Sequence, residues 1–261
     1  MIEVQHVSKI FRLNKKQQKI LGKNIDQVHA VDDISFSCKP GRIFSLLGPN
    51  GAGKTTTLRM IATILKPSRG SIQVAGYDTI RQAEKVRGSI GFLTGSTGLY
   101  NRLTPAELVK YFADLYGMDE TRYEERRHYL FDLLGIHDFA NKRIGQLSTG
   151  MKQKVSIART IIHDPQVVIF DEPTSGLDVI TAENIINLIR DCKLEGKTVI
   201  FSSHIMSEVD LLCDDLAIMH KGKIVYASTM EAFRGNMNET SLTGSFINII
   251  HQAQTVRDEN L

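Results

Sequence analysis

The feature that most constrains this chain is FSLLGPNGAGKTTTLRM, residues 44–60. An apolar run stops at a glycine-rich loop, and a lysine and threonines follow. Gly48, Gly53, Lys54 and Thr55 satisfy G-x-x-x-x-G-K-[ST] between a strand and a helix, the setting in which that spacing holds phosphate. Such a loop must wrap closely around phosphate oxygens with its N–H groups pointing inward, which is why it needs glycine. The helix beginning at Lys54 adds the positive end of its dipole. Lys54 is expected to neutralise the β- and γ-phosphates of a nucleotide, and Thr55 to offer its hydroxyl to Mg²⁺. Pro49, Asn50, Gly51, Ala52 and Thr56 complete the expected phosphate-binding set.

The surrounding pattern has an α/β rhythm. MIEVQHV, VDDISFSC and RIFSLL read as short strands, with KPG at 39–41 as a turn. Between the first two, RLNKKQQKILGKNIDQVH carries Arg12, Lys15, Lys16, Lys19 and Lys23 and little apolar periodicity. It is expected to be a solvated hairpin tip, with a basic contact to lipid headgroups or a partner as the alternative. SIQVAG is a further strand. Thr104, Pro105 and Glu107 form a capping box, and residues 104–146 are expected to be helical throughout. Leu108, Tyr111, Phe112, Leu115 and Tyr116 make an apolar face that reads as core. From Ser148 onward helices and strands alternate, the signature of a mainly parallel sheet. A helical block inside an α/β core suggests two lobes. The closing QAQTVRDENL reads as a loose tail.

With 261 residues the chain can form one large α/β domain, or a core domain with a smaller lobe. Its net charge of +3 is too weak for a nucleic-acid partner, which calls for a concentrated basic face. Cys38, Cys192 and Cys213 are widely spaced with no CxxC pair and read as free, buried thiols of a reducing compartment. No apolar run approaches the ~20 residues of a membrane helix.

Two further motifs carry chemistry. VVIFDEP places Asp171 and Glu172 at the end of a buried apolar strand, where carboxylates need partners. Asp171 is expected to hold Mg²⁺, and Glu172 to polarise an attacking water. The plain alternative is an acidic turn after a strand. LSTGM, residues 147–151, opens a helix with Ser148 as N-cap and Gly150 in the first turn, a good anion-binding surface. Taken alone it reads better as an ordinary capped helix.

In order, these motifs resemble those of the ATP-binding subunits of ABC transporters, across residues 1 to about 230. GPNGAGKT resembles the Walker A loop and VVIFDEP the Walker B strand with its adjacent glutamate. LSTGM resembles the LSGGQ signature, with Thr149 for the first glycine and Met151 for the glutamine. SGLD at 175–178 resembles the D-loop, His204 in SSHIMSEVD the switch histidine, and Phe11 the aromatic that stacks on adenine. The resemblance implies an α/β P-loop NTPase core with an N-terminal antiparallel β-subdomain and an inserted helical subdomain. The ATP-binding domain would span 1–235, with the helical subdomain at about 96–160 and a C-terminal extension at 236–261. It implies ATP and Mg²⁺ as cofactors, with Glu172 and His204 catalytic. It also implies two subunits packed head to tail with ATP between them, so that Ser148, Thr149, Gly150 and Asp178 join the nucleotide-binding set. One departure stands out. The family usually has glutamine at the hinge before the helical lobe, and here Gly95 occupies that position, with Thr94, Ser96 and Thr97 as partial substitutes.

ABC exporters of the ABC-2 type often place ATPase and permease in separate chains, and this sequence resembles such a stand-alone ATPase. IATILKPSRGSIQVAGYDT and IGFLTGSTGLYNRLTP resemble the NatA-like sodium-export group; drug, antibiotic and lipid export ATPases are the alternatives. The resemblance implies a membrane permease partner and a peripheral position on the cytoplasmic face of the cell membrane. Leu99, Tyr100, Leu103 and the face near Tyr111 are candidates for the permease contact, or for internal packing. A soluble ABC ATPase without a permease is a rival reading. A non-hydrolysing binding module is disfavoured because Lys54, Asp171, Glu172 and His204 are all present.

Overall fold

The computed structural model describes residues 1–15, 18, 26–94, 98–236 and 241–258, the last four as backbone alone. Strands β1 (Ile2–Arg12), β2 (Gln27–Cys38), β4 (Arg69–Val74) and β5 (Tyr77–Asp78) form an antiparallel sheet in the order β2-β1-β4-β5. Strands β3 (Ile43–Leu47), β6 (Ile90–Thr94), β7 (Val167–Asp171), β8 (Thr198–Ser203), β9 (Asp215–His220) and β10 (Lys223–Thr229) form a second sheet, ordered β10-β9-β3-β8-β7-β6. All its pairs are parallel except β9–β10. Helices α1 (Lys54–Ile61), α2 (Ala83–Ser89), α3 (Pro105–Leu115), α4 (Glu120–Leu134), α5 (Thr149–Ile161), α6 (Val179–Leu194), α7 (Met206–Leu212), α8 (Met230–Gly235) and α9 (Leu242–Asp258) complete the described elements.

The inner strands of the second sheet are buried on both faces, and alternate side chains serve two separate cores. Val168 and Phe170 of β7, Val199 and Phe201 of β8, and Leu216 and Ile218 of β9 join the helices in one cluster. Val167, Ile169, Ile200, Ala217 and Met219 join the antiparallel sheet in the other. Two-sided burial is why QVVIFD reads as an unbroken apolar run rather than an alternating one. It also places the phosphate loop. β3 lies between β9 and β8, so its carboxyl end opens beside the carboxyl ends of β8 and β7, with Leu47 opposite Ser203 and Asp171 opposite Ser202.

Four expectations need correction or restriction. Residues 104–146 are not helical throughout. The capping box at Thr104 forms on both sides, but α3 stops at Leu115, and Gly117 turns the chain at φ 67°. Asp119 then caps α4 through the Arg122 N–H at 2.9 Å, Gly135 ends it at φ 59°, and two 3₁₀ turns follow at His137–Phe139 and Ile144–Gln146. Left-handed glycine reverses the backbone and ends a helix regardless of the apolar periodicity around it. The aromatic face of α3 is core only in part: Leu108 is buried, but Tyr111, Leu115 and Tyr116 are 45%, 62% and 40% exposed. The closing segment is helical rather than irregular as far as Asp258: it ends α9, whose preceding turns pack Leu242, Phe246, Ile249 and Ile250 on the core. The hairpin between β1 and β2 is closed at its base by the Leu13 N–H donating to Asp26 at 2.8 Å; Lys16, Lys19 and Lys23 lie outside the described residues. Cys38, Cys192 and Cys213 are free and buried as expected, and burial raises all three thiols, Cys192 and Cys213 to about 12.

One half-buried histidine ties the helical block to the sheet. His163, just after α5, stacks face to face on Tyr116 at 3.6 Å between centroids, and its Nε2 donates to the Ile90 carbonyl at 3.0 Å. Burial lowers its pKa from 6.5 to about 4, against the pull of the Ile90 carbonyl. The unfolded chain therefore binds the extra proton first, so stability is intact above pH 6.5 and falls as pH drops toward 4. Between pH 7 and 5 the expected loss at this site is about 2 kcal/mol. Urea titrations at the two pH values should show that loss in the native chain and a smaller one in His163→Gln.

Candidate functional site

The loop from Gly48 to Gly53 is held by backbone contacts that leave no room for side chains at two positions. A Cβ on Gly48 would lie 2.3 Å from the Met219 carbonyl oxygen, and one on Gly53, at φ 105°, would lie 2.5 Å from the Ala30 oxygen. The Gly222 N–H donates to the Ala52 carbonyl at 3.0 Å, which fixes the loop against the β9–β10 turn. Gly53 is the N-cap of α1 and provides no side-chain cap, so the first amides of the helix remain for a ligand.

Lys54 is 4% exposed and extends back under the loop. Its Nζ donates to the carbonyls of Gly48 at 2.6 Å and Pro49 at 3.2 Å, and lies 3.6 Å from Glu172 Oε1. Burial lowers the pKa of the ammonium, and the Glu172 and Asp171 carboxylates act in the opposite direction. The Thr55 hydroxyl donates to Asp171 Oδ1 at 3.0 Å, and the Ser202 hydroxyl donates to the same oxygen at 2.7 Å. Ser202 Oγ also accepts from the Glu172 N–H at 3.0 Å. Glu172 itself is a non-glycine residue at φ 49°, a left-handed conformation that costs on the order of 1 kcal/mol. That turn directs its carboxylate toward Lys54 and His204, whose Nδ1 is 3.3 Å from Glu172 Oε1. Glu208 fastens the segment that follows, accepting from the hydroxyls of Thr174 and, at 2.7 Å, Ser203.

These groups border a cleft of ≈ 630 Å³, within the usual range for a small-molecule site. Asn50, Gly51, Ala52, Gly53, Lys54, Thr55, Thr56 and Glu172 line it, together with Val28, Asp32 and Lys221, which the sequence reading missed. Phe11 is not in the cleft wall. It pairs with Val28 across the β1–β2 ladder, and β2, the edge strand, supplies the wall instead. Lys9 sits over the Phe11 ring at 5.1 Å. Thr94 closes β6 directly opposite Asp171, while Gly95, Ser96 and Thr97 lie outside the described residues. A hydroxyl and a carboxylate 3.0 Å apart at the phosphate end of the cleft form a hard oxygen donor set suited to Mg²⁺.

A second constellation does not line this cleft. Ser148 caps α5 by accepting from the Met151 N–H at 3.3 Å, and Ser148 and Thr149 are exposed. Asp178 caps α6, accepting from the N–H and hydroxyl of Thr181 at 3.0 and 2.8 Å, bonds that lower the pKa of its carboxyl. A Cβ on Gly150 would be 3.2 Å from Thr181 Oγ1 and 3.7 Å from Asp178 Oδ2, so the two helix starts adjoin.

A third feature lies beside α3. A groove of ≈ 260 Å³ is lined by Ile64, Phe92, Phe112, Tyr116, Arg87 and Arg159, among others. Arg159 is buried, with its guanidinium 5.1 Å over the Phe112 ring and its Nη2 donating to Ser156 Oγ at 3.4 Å. Tyr100, 57% exposed, meets Tyr111 edge to face at 6.3 Å; Leu99 and Leu103 pack on the core. Sequence reasoning missed Arg159 and Ser202. A basic residue in the apolar run VSIARTII and a serine in the apolar strand TVIFSS were the available signals.

The family model described as ABC transporter matches residues 31–175. The chain belongs to the ABC transporter family. Within that family it is an ATP-binding subunit, an ABC-type ATPase. It is 46% identical over 206 residues to the ABC transporter ATP-binding protein NatA of Bacillus subtilis (strain 168), covering 78% of this chain and 84% of that protein. A solved structure described as the ATP-binding subunit of an ABC transporter superposes with a TM-score of 0.83 at 27% identity, covering 95% of this chain and 99% of that one. A dimeric structure of a bacterial ABC transporter cassette superposes with a TM-score of 0.74 at 27% identity, covering 88% and 99%. No helix among the described residues is long and apolar enough to cross a membrane.

Proposed function

We propose that two copies of this chain clamp ATP head to tail and drive export through a separate membrane permease, from the cytoplasmic face, with Na⁺ as the cargo. The observation that carries the clamp is the separation of the two constellations: the cleft holds Lys54, Thr55 and Glu172, while exposed Ser148 and half-buried Gly150 lie outside it. A second copy turned end for end would bring its α5 N-terminus to the γ-phosphate, so one nucleotide joins two surfaces. Hydrolysis removes the joining group, which gives the closed and open states different affinities. A solved bacterial ABC transporter cassette is dimeric, which supports pairing of two copies.

At the γ-phosphate, Lys54 and the loop amides take up negative charge, and Glu172 orients a water and accepts its proton. His204, hydrogen-bonded to Glu172, holds that carboxylate in place and senses the phosphate. Thr55 and Asp171 would hold Mg²⁺, which supplies charge neutralisation at the phosphates, and Ser202 keeps the Asp171 carboxylate turned toward Thr55. The Asn50 to Thr56 backbone binds the remaining phosphates, with Val28 and neighbouring Phe11 at the base end.

The groove beside α3 fits an apolar permease segment carrying an acidic side chain for Arg159. Tyr100→Glu should weaken co-purification with the permease by about tenfold, with the ATPase activity of the isolated chain retained. Undiminished assembly would remove Tyr100 from the contact. Sodium is supported by the 46% identity to NatA. Reconstituting both chains in vesicles tests it: ATP-dependent Na⁺ movement is expected, and movement of a drug without Na⁺ would reassign the cargo.

A further inference from the structure

Away from the cleft and the groove, three side chains converge at the end of α4. His128 and Asp132 lie one turn apart on the same helix face. Gly135, left-handed at φ 59°, reverses the chain, and the 3₁₀ turn beginning at His137 brings a second imidazole back to the same carboxylate. His128 Nδ1 is 3.2 Å from Asp132 Oδ2, and His137 Nε2 is 2.8 Å from Asp132 Oδ1. One ligand atom from each residue lies within 4.8 Å of the others. The two imidazoles meet at 77° with centroids 5.6 Å apart, and the Phe131 ring packs on His137 at 5.7 Å.

We propose that His128, Asp132 and His137 form a surface site for a divalent transition-metal ion of the Zn²⁺ class. Metal–ligand bonds of about 2.0–2.1 Å in tetrahedral geometry set neighbouring ligands about 3.3 Å apart. Each imidazole nitrogen already lies 3.2 or 2.8 Å from one of the two Asp132 oxygens, and the three ligand atoms lie within 4.8 Å of one another, so side-chain rotation rather than backbone movement has to bring them onto one ion. A neutral imidazole binds by moving its proton to the ring nitrogen that faces solvent, and a protonated one releases that proton. Two imidazoles and a carboxylate suit Zn²⁺, Co²⁺ or Ni²⁺ over Mg²⁺ or Na⁺, which prefer oxygen. Three protein ligands on an exposed face leave the fourth position to water. Ion pairing alone is a weak reason for the convergence, since exposed pairs contribute about 0–1 kcal/mol. A bound ion would pin the end of α4 to the turn that follows it and stabilise the helical block by mass action. None of these residues serves the nucleotide chemistry, so the site stands apart from the function proposed above.

The test is calorimetric titration of the chelator-treated full chain with Zn²⁺ alone, repeated for His128→Ala, His137→Ala and, as a control, His6→Ala. His6 makes an exposed two-donor pair with Asp33 at 3.0 Å. One ion per chain with micromolar or tighter affinity is expected, weakened by more than about tenfold in each site variant and unchanged in the control. Thermal unfolding gives a second readout independent of variant folding yield: Zn²⁺ should raise the Tm of the native chain and of His6→Ala, and leave both site variants unmoved. Equal binding by native chain and site variants, or binding only at millimolar Zn²⁺, overturns the proposal.

Discussion

Glu172→Gln is expected to lower ATP turnover by about 10²- to 10⁴-fold, the usual contribution of a positioned general base, while nucleotide binding survives. The substitution keeps the shape of the side chain and removes its basicity. It also leaves the contacts that build the site: the Glu172 N–H still donates to Ser202 Oγ, and Lys54 still donates to the Gly48 and Pro49 carbonyls. The loss should therefore fall on kcat and spare affinity. Single-turnover and steady-state assays with radiolabelled ATP separate the two. A variant that hydrolyses at the native rate would show that another group accepts the proton.

Lys54→Met is expected to act oppositely on binding and on stability. Without the ammonium the phosphates lose a charge-assisted contact worth about 1.5–3 kcal/mol, so ATP affinity should fall by about 10- to 100-fold. In the nucleotide-free chain the lysine is buried at a desolvation cost that lowers its pKa. Methionine fills much the same volume without that cost, so the intrinsic Tm should hold or rise. Native chain at 100 times its Kd for ATP gains about 2.7 kcal/mol, and the variant at the same ATP concentration should gain far less. Thermal unfolding with and without ATP checks both halves. A lowered Tm without nucleotide would show that the lysine–carbonyl bonds stabilise the loop more than burial of the charge destabilises it.

The parts of the fold legible in the sequence are those where one local rule decides. The phosphate loop could be read because glycine at 48 and 53 has a steric cause, visible as the 2.3 and 2.5 Å clashes a side chain would make. The central strands could be read because burial on both faces leaves an unbroken apolar run. Legibility fails where tertiary context decides. Gly117 and Gly135 end helices inside a stretch that stays periodic, and periodicity does not reveal which glycine turns left-handed. The apolar positions of α9, Leu242, Phe246, Ile249 and Ile250, follow helical spacing but stop short of the polar residues that made the end look unstructured. Val28, the cross-strand neighbour of Phe11, was not legible as cleft wall, because strand order is set by pairing across the sheet. Ser202 and Arg159 were hidden for a related reason. Each is a polar residue in an apolar segment, and the neighbouring element supplies a partner: Asp171 for the first and the Phe112 ring for the second.

The central claim is that ATP joins two copies of this chain. Sedimentation of Glu172→Gln with Mg²⁺, in the absence and in the presence of saturating ATP, tests it without interference from hydrolysis. Conversion from monomer to dimer on adding ATP, reversed when Ser148 is also replaced by Arg, is the result the account predicts. A monomer that persists at saturating ATP, with binding confirmed on the same sample and the permease supplied, would contradict it.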